Sequence, residues 1–462
     1  MAVFGRTHRP VIDRDRCQDC SICMRLCPAE FMTELRQEEN TARGYIYRNT
    51  DLPNIQELPP CVAACPISQK VPEYIHLLET GNIKEALLII RQDNPLPGVC
   101  GYVCHRPCEN ACFIGAWGDP VSIRELKKYA MQHELEHEDE IVKIISELRE
   151  PFKEKKIVIA GAGPAGLACG YELIMHGYDV TIMDAFDKPG GMLRSGIPLF
   201  RLPRHIIDHD VNIIRSLGVK FNNSVNIGKD ISLDVLNTGD ADAVVLAMGN
   251  YKSINLGLRC EDAVGYMDWL DFLKKMNMGC SVKLDGKVLV VGGGNVAIDV
   301  ARSALRAGAK SVEVLSLEKE DEMPADPFEI KMAKEEGVNI RFELVPTNIL
   351  MENGYVKGLI CAPASLGWDE LGRRIPKLIN GKSFNIECDY IISAIGQVAE
   401  LSFLRQESIS ERGTIKLNED GTVKGYDAKV FAAGDALTGP SSVVEAIASG
   451  KATAKRIIDY VE

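Results

Sequence analysis

The chain has 462 residues, 46% of them hydrophobic and 26% charged, and a formal charge of −12; at a domain size of about 150 residues it has room for about three domains. That balance argues against a chain-wide nucleic-acid footprint, and no run of about 18 apolar residues offers a membrane span. The N-terminus lacks the apolar core of a signal peptide, so a cytoplasmic protein is expected.

Ten of the 15 cysteines lie between Cys17 and Cys112, whereas Cys169, Cys260, Cys280, Cys361 and Cys388 are scattered and read as buried thiols. Clustering without an export signal points to metal rather than to disulfides. Cys17-x2-Cys20-x2-Cys23-x3-Cys27-Pro28 has the spacing that wraps a [4Fe–4S] cluster, and Cys27 serves either that cluster or a neighbouring one. Zinc is the competing metal. Arg48 to Pro60, with three prolines, reads as a linker. The second cysteine group is Cys61-x3-Cys65-Pro66, then Cys100, Cys104, Cys108 and Cys112, each four apart. Helical spacing would put the last four on one face, but Gly101 and Pro107 favour a cluster-wrapping loop. Ten cysteines supply two clusters with two ligands to spare and fall short of three.

From Val71 the pattern is helical. Asn82-Ile83-Lys84-Glu85 and Ser122-Ile123-Arg124-Glu125 have capping-box spacing at the start of helices, and Pro95 and Pro97 stop the first of them. The charged stretch Glu134 to Glu150 reads as a solvated helix face or a connector.

At Lys156 the texture changes to β-branched runs alternating with helices, the pattern of a parallel α/β sheet, and it recurs at Lys287. The first unit opens with strand Ile157–Ala160, then Gly161-Ala162-Gly163-Pro164-Ala165-Gly166, then a helix. Gly161 permits the turn, Gly163 lets backbone approach a pyrophosphate, and Gly166 lets helix and strand pack closely. The diphosphate belongs on the helix N-terminus. Asp184 closes the next strand, 18 residues after Gly166, where an acid accepts from ribose hydroxyls. The second unit repeats this with strand Val288–Val291 and Gly292-Gly293-Gly294-Asn295-Val296-Ala297. A helix follows to Ala307, then a strand Val312–Leu315 leading to Glu318. Two such sites suggest two dinucleotides meeting, FAD and NAD(H), with hydride passing directly between them and no essential acid or base. No Cys-x-x-Cys pair lies in or between these units, so a dithiol relay is not expected.

Several short motifs stand out in the first half: Val71-Pro72-Glu73-Tyr74, Asp93-Asn94-Pro95, Cys100-Gly-x-Val-Cys104, Pro107-Cys108-Glu109 and Pro120-Val121-Ser122-Ile123. In the second half they are Gly190-Gly191-Met192-Leu193, Gly196-Ile197-Pro198, Phe200-Arg201-Leu202-Pro203, Ala394-Ile395-Gly396-Gln397 and Ala433-Gly434-Asp435. With these motifs the chain resembles the glutamate synthase small-subunit family, which includes the N-terminal part of dihydropyrimidine dehydrogenase and the larger subunit of NADH-dependent ferredoxin:NADP oxidoreductase. The resemblance covers residues from about 55 to 462, with residues 1–45 an added ferredoxin-like segment. The fold it implies is α/β: two Rossmann-like dinucleotide-binding domains preceded by a mainly helical iron–sulfur domain (46–150). The FAD domain would be discontinuous (151–282 and 389–462), with the NAD domain (283–388) inserted. Gly191, Leu193, Arg201, Gly249, Gly434 and Asp435 would then serve FAD, and Gly396 the nicotinamide. Two cysteines usual in the family are replaced by Pro53 and Gln56, and Lys127 stands where a Glu or Gln ligand is usual.

The expected protein is an NADH-linked FAD and iron–sulfur oxidoreductase subunit with two to three [4Fe–4S] clusters. It would exchange electrons with other subunits of a redox complex or with ferredoxin, flavin-based bifurcation being one mode. The alternatives are a glutamate synthase small subunit and a non-catalytic iron–sulfur assembly scaffold. By alignment on Glu322-Met323-Pro324, the two arginines of NADPH-using relatives fall on Leu317 and Glu318, which favours NAD(H).

Overall fold

The computed structural model describes residues 58–462 except 117, 371–373, 380 and 428, together with two short antiparallel strands, β1 (Ala2–Phe4) and β2 (Pro10–Ile12). Cys17, Cys20, Cys23, Cys27 and most of the linker lie outside the described residues. Two compact units are formed, residues 1–150 with 443–448, and 151–442 with 449–462.

From residue 58 to residue 150 the first unit is helical: α1 (Pro60–Ala63), α2 (Val71–Glu79), α3 (Ile83–Asp93), α4 (Pro97–Val103), α5 (Pro107–Asn110), α6 (Ile123–Glu136) and α7 (Glu138–Glu147). Prolines open α1, α2, α4 and α5 at their first or second residue, where a missing N–H costs nothing. Pro97 therefore starts a helix as well as ending one. The loop expected around Cys100 is a helix, because Gly101 fits it against α6: a Cβ there would lie 3.2 Å from the Lys128 Cα. Neither expected capping box forms; Asn82 turns its amide to the Thr80 hydroxyl (3.0 Å), and Ser122 makes no cap bond. These helices instead stand on buried faces, Ala86, Leu87 and Ile90 on α3 and Ile123, Ala130 and Met131 on α6.

The charge run is two helices broken at His137, and its first residue is not solvated. Glu134 is wholly buried and paired with buried Arg91, whose Nε donates at 3.1 Å and whose Nη1 reaches the Pro95 carbonyl at 2.8 Å. Removing one partner strands the other charge in the core, so Glu134→Ala is expected to cost about 3–5 kcal/mol. Denaturant unfolding reads this directly, and a loss below about 1 kcal/mol would mean that the pair is not buried as described.

The second unit contains two parallel sheets of the same design. The first has β3 (Lys156–Ala160), α8 (Pro164–Met175), β4 (Asp179–Asp184), α9 (Met192–Ser195), α10 (Arg204–Ser216), β5 (Lys220–Asn223), α11 (Leu233–Thr238) and β6 (Ala243–Leu246). A two-residue strand β7 (Lys252–Ser253) then leads to the second sheet: β8 (Tyr266–Asp268), α12 (Trp269–Asn277), β9 (Lys287–Val291), α13 (Asn295–Arg306), β10 (Ser311–Leu315), α14 (Pro327–Glu335) and β11 (Asn339–Arg341). An antiparallel sheet follows, β12 (Leu344–Glu352), β13 (Tyr355–Trp368), β14 (Arg374–Leu378) and β15 (Phe384–Glu387). The chain closes with β16 (Tyr390–Ser393), β17 (Gln397–Val398), β18 (Val430–Ala432), α15 (Asp435–Thr438) and α16 (Val443–Val461).

The strand orders are β18-β6-β3-β4-β5 and β11-β10-β9-β16-β8, all pairs parallel. In each, the chain moves outward from the strand that precedes the glycine loop (β3 or β9) and later returns to that strand's other side. That creates a switch point beside the glycine loop, where such sheets bind ligands. The second sheet reaches beyond 283–388, because β8 and β16 belong to it; three-residue β8 carries too little pattern to be read from sequence. The chain leaves the first lobe at β7 and re-enters at β17, and the two pair antiparallel as Ser253↔Gln397 and Lys252↔Val398. Among the scattered cysteines, Cys169, Cys361 and Cys388 are buried as expected. Cys260 is half-buried, and Cys280 is exposed because it follows the turn at Gly279 (φ +74°).

Candidate active site

The glycine loop after β3 carries three different demands. Gly161 has φ +111°, and a Cβ on it would strike the Ala247 carbonyl. A Cβ on Gly166 would strike the Gly161 carbonyl. Gly163 differs: its backbone is extended (φ −76°, ψ −179°), and nothing lies within 4 Å of where its Cβ would be. It therefore faces open space at the N-terminus of α8, where Pro164 and Ala165 form the first turn. Asp184 Oδ2 accepts from the Ala162 N–H at 2.6 Å and Oδ1 from Phe186 N–H at 2.8 Å, while burial holds its carboxyl above the usual range. The acid thus stands directly beside the loop.

Later segments converge on the same place. Gly190 N–H donates to Ala162 O at 2.8 Å, and Gly191 (φ +52°) would put a Cβ 2.9 Å from the Gly163 Cα. Leu193, one residue into α9, is buried. Gly434 (φ +71°) packs on Ala165, with a Cβ there 2.7 Å from the Ala165 Cβ, and donates to Ser449 Oγ at 2.9 Å. Asp435 opens α15 and accepts from Ser441 Oγ at 2.8 Å.

The second loop repeats the construction. Gly292 (φ +143°) abuts the Ala394 carbonyl, Gly294 is extended with nothing within 4 Å, and buried Ala297 takes the third place. Asn295 and Val296 begin α13, and Asn295 Oδ1 accepts from the Asp326 N–H at 2.7 Å. Glu318 is buried over the loop. Its Oε2 accepts from Ser316 Oγ at 2.8 Å, and both groups fill the space that a Cβ on Gly293 would need. Gly249 (φ +66°) and Gly396 (φ +124°) occupy equivalent places, each two residues beyond the alanine whose carbonyl packs on a loop glycine. Just past them, Asn250 Oδ1, Tyr251 Oη and Gln397 Oε1 are buried without hydrogen bonds. Open glycines at both helix N-termini, with orphaned polar atoms nearby, fit a dinucleotide at each loop. Sequence reasoning missed Asn250, Tyr251, Gln397 and Ser316; aligning Ala-Met-Gly (247–249) with Ala-Ile-Gly (394–396) exposes the first three.

Arg201, expected at the FAD, pairs with Asp299 Oδ2 at 2.7 Å and Glu329 Oε1 at 3.0 Å in the second lobe. Arg302 joins Glu329 at 2.7 Å and Glu336 at 2.8 Å, and Phe200 lies under Arg302 and Arg306. Asn277 donates to the Ser195 and Ile197 carbonyls at 2.9 and 3.2 Å. The segment around Gly191 to Arg201 thus touches one loop and braces the other lobe. Burial pushes the Asp299 carboxyl up to about 6, against the pull of Arg201. A raised folded-state pKa stabilises below the unfolded value and loses that contribution as pH rises to about 6. Thermal melts should therefore show a decline between about pH 4 and 6 that Asp299→Asn flattens; the same slope in the variant would contradict this.

In the helical unit Cys61, Cys65, Cys104, Cys108 and Cys112 lie within electrostatic reach of one another. Cys61 feels Cys112 and Cys65, Cys104 feels Cys65, and Cys108 feels Cys104 and Cys65. Burial is the largest influence on each of these three, and it pushes the Cys108 thiol up to about 12. None is in a disulfide. Cys100 is fully buried and points its thiol at Asn94 Oδ1, 3.9 Å away. Among the described residues no three His, Cys, Asp or Glu groups are gathered tightly enough for a single metal ion. A [4Fe–4S] cluster takes four thiolates, so five free cysteines in this unit that influence one another are a donor set of the right chemistry for one. Among the described residues no helix is long and apolar enough to cross a membrane.

The pyridine nucleotide-disulphide oxidoreductase family matches residues 155–450, and dihydropyrimidine dehydrogenase domain II, 4Fe-4S cluster, matches 54–139. The chain is 39% identical over 424 residues to the NADP(+)-dependent formate dehydrogenase subunit beta of Moorella thermoacetica, covering 87% of this chain and 60% of that one. It is 40% identical over 433 residues to the NADPH-Fe(3+) oxidoreductase subunit beta of Geobacter sulfurreducens, covering 87% and 64%. The chain thus spans less than two thirds of these two relatives. The glutamate synthase [NADPH] small chain of Escherichia coli K12 is 34% identical over 427 residues, with 87% and 89% covered. Among solved structures, Mycobacterium tuberculosis FprA in complex with NADPH has the same fold (TM-score 0.58, 18% identity, 67% of this chain and 85% of that one). Lactococcus lactis thioredoxin reductase gives 0.51 at 17% identity, with 67% and 99% covered.

Proposed function

Because the chain belongs to the pyridine nucleotide-disulphide oxidoreductase family, with glutamate synthase small chains among its relatives, we propose that it is the NADH-reading electron-transfer subunit of a redox complex. In coarser terms it is an NAD(P)H-dependent FAD and iron–sulfur oxidoreductase. The observation that carries the reading is the duplicated glycine loop, each copy with one glycine open to solvent at a helix N-terminus. The loop at Gly163, with Asp184, Gly191, Gly249, Gly434 and Asp435 around it, would hold FAD; the loop at Gly294, with Glu318 and Gly396, would hold NADH. Bound at these two loops, the dinucleotides would supply direct hydride transfer, and clusters on the cysteine-rich unit would supply one-electron transfer.

The chain's own part is binding and orientation. The N-termini of α8 and α13 favour the two diphosphates. Asp184 and Glu318, each fixed beside its loop, accept from ribose hydroxyls. The bracing of Arg201 by Asp299 and Glu329 holds the two lobes in register. No acid or base is required for hydride transfer between two such cofactors.

Cys17, Cys20, Cys23 and Cys27 would form one cluster, and four of Cys61, Cys65, Cys104, Cys108 and Cys112 a second, with Cys100 structural. Anaerobic iron and sulfide analysis should then find about 8 Fe per chain; zinc in place of iron would sink the reading. Partners would be other subunits or ferredoxin. A second reading, delivery of electrons to a glutamate-forming large subunit, is favoured by the 89% coverage of the Escherichia coli small chain. Subunits that co-purify anaerobically from the native source distinguish the two.

A further inference from the structure

The buried face of α6 carries Ile123, Lys127, Ala130, Met131 and Glu134. Two of these are charged, and they are treated differently. Glu134 is neutralised by Arg91. Lys127 is 8% exposed, and no carboxylate of the described residues stands within ion-pairing distance of it. An ammonium on a buried helix face without a counter-charge is expensive, so such a group is normally paired.

Its charge acts on the thiols of Cys104 and Cys108. The start of α6 is tied to the cysteine segment: Arg124 N–H donates to Glu109 Oε1 at 2.8 Å, and Arg124 Nη1 to the Cys104 carbonyl at 3.3 Å. Lys127 lies three residues on, along the same side of the helix. Next along α6, the Lys128 backbone packs against Gly101 of α4. After burial, Lys127 is the largest electrostatic influence on Cys104 and on Cys108 alike. The unit therefore places a cation that has no carboxylate partner among the described residues on the side of Cys104 and Cys108.

We propose that Lys127 is the counter-charge of an anionic iron–sulfur cluster held by Cys104 and Cys108, raising its reduction potential without ligating iron. The inference rests on the cluster reading above. Reduction adds one electron, supplied from NADH, and one negative charge to the cluster. A fixed cation stabilises that more negative state, and its loss must lower the potential.

The test is an EPR-monitored redox titration of the full-length holoprotein, purified anaerobically, as wild type, Lys127→Met and Lys127→Arg. Iron and sulfide in the wild type are measured first; their absence would defeat the cluster reading rather than this one. Methionine matches the lysine stem in length and suits a buried face. Lys127→Met should keep its iron and become at least tenfold harder to reduce, a fall of 59 mV for one electron. Lys127→Arg should stay near the wild-type potential. If the Met variant loses its cluster while the Arg variant keeps one of wild-type potential, the charge is likewise required. An unchanged potential in the Met variant overturns the proposal. So does loss of the cluster from both variants with FAD retained, which would make the amine a ligand or a packing element.

Discussion

Replacing Gly163 with valine is expected to give a folded protein that cannot hold FAD. The position separates two requirements that glycine loops usually confound. At Gly161 and Gly166 a side chain would strike carbonyl groups of the lobe itself, so substitution there damages the fold. At Gly163 the backbone is extended and the space beyond is open, so the apoprotein tolerates valine. The isopropyl group would then occupy the place where a diphosphate approaches the first turn of α8. Loss of contact with two or three helix N–H groups should weaken FAD at least about 100-fold, about 2.7 kcal/mol. The checks are the FAD-to-protein ratio and the unfolding midpoint: a colourless protein with an unchanged midpoint is expected. Full FAD occupancy would mean that the first loop does not hold FAD. Gly294→Val, its counterpart, should keep FAD and raise the KM for NADH.

NADH is expected to be preferred to NADPH by at least about 10-fold in kcat/KM, about 1.4 kcal/mol of discrimination. The three relatives described above carry NADP(H) in their names, so this is where the chain should part from them. Glu318 is buried over Gly293 and oriented by Ser316, a fixed acceptor suited to free ribose hydroxyls and repellent to a 2′-phosphate. Leu317 offers no charge, and Lys319 is exposed on the far side of the acid in sequence. Kinetics with a dye acceptor read the preference. Equal or better use of NADPH would contradict it. Leu317→Arg with Glu318→Arg should narrow or reverse it, since guanidinium groups bind phosphate bidentately.

Both glycine loops were legible in the sequence because each glycine's task is local: a turn, an approach, a close packing. Strand, loop, helix, strand and acid follow in fixed order, and the structure builds both lobes that way. What was not legible depends on distant partners. Arg201 sits in a recognisable motif, yet its carboxylate lies 98 residues away in another lobe. Glu134 looked like one more charge in an acidic run until Arg91 was seen beneath it. The capping boxes were false positives: the right residue types stand at the right spacing, but apolar burial positions those helices without the side-chain bonds. The antiparallel sheet β12–β15 is not legible in the sequence because its strands pair with one another across turns and irregular register rather than in the repeating strand–helix order of the two lobes. Cys100 shares the spacing of its neighbours, but its full burial and its thiol's approach to Asn94 depend on how α4 packs, which the spacing does not carry.

The central claim is that electrons enter at the second loop, cross to the first and leave through the cysteine-rich unit. Anaerobic titration with NADH, following the flavin band and the EPR signal of reduced clusters together, tests it most directly. Wild-type holoprotein should bleach and then develop the cluster signal, while Gly163→Val, with clusters intact and no FAD, should develop none. A cluster signal of wild-type rate and size in the FAD-free variant, or bleaching that never reaches the clusters in the wild type, would contradict the account.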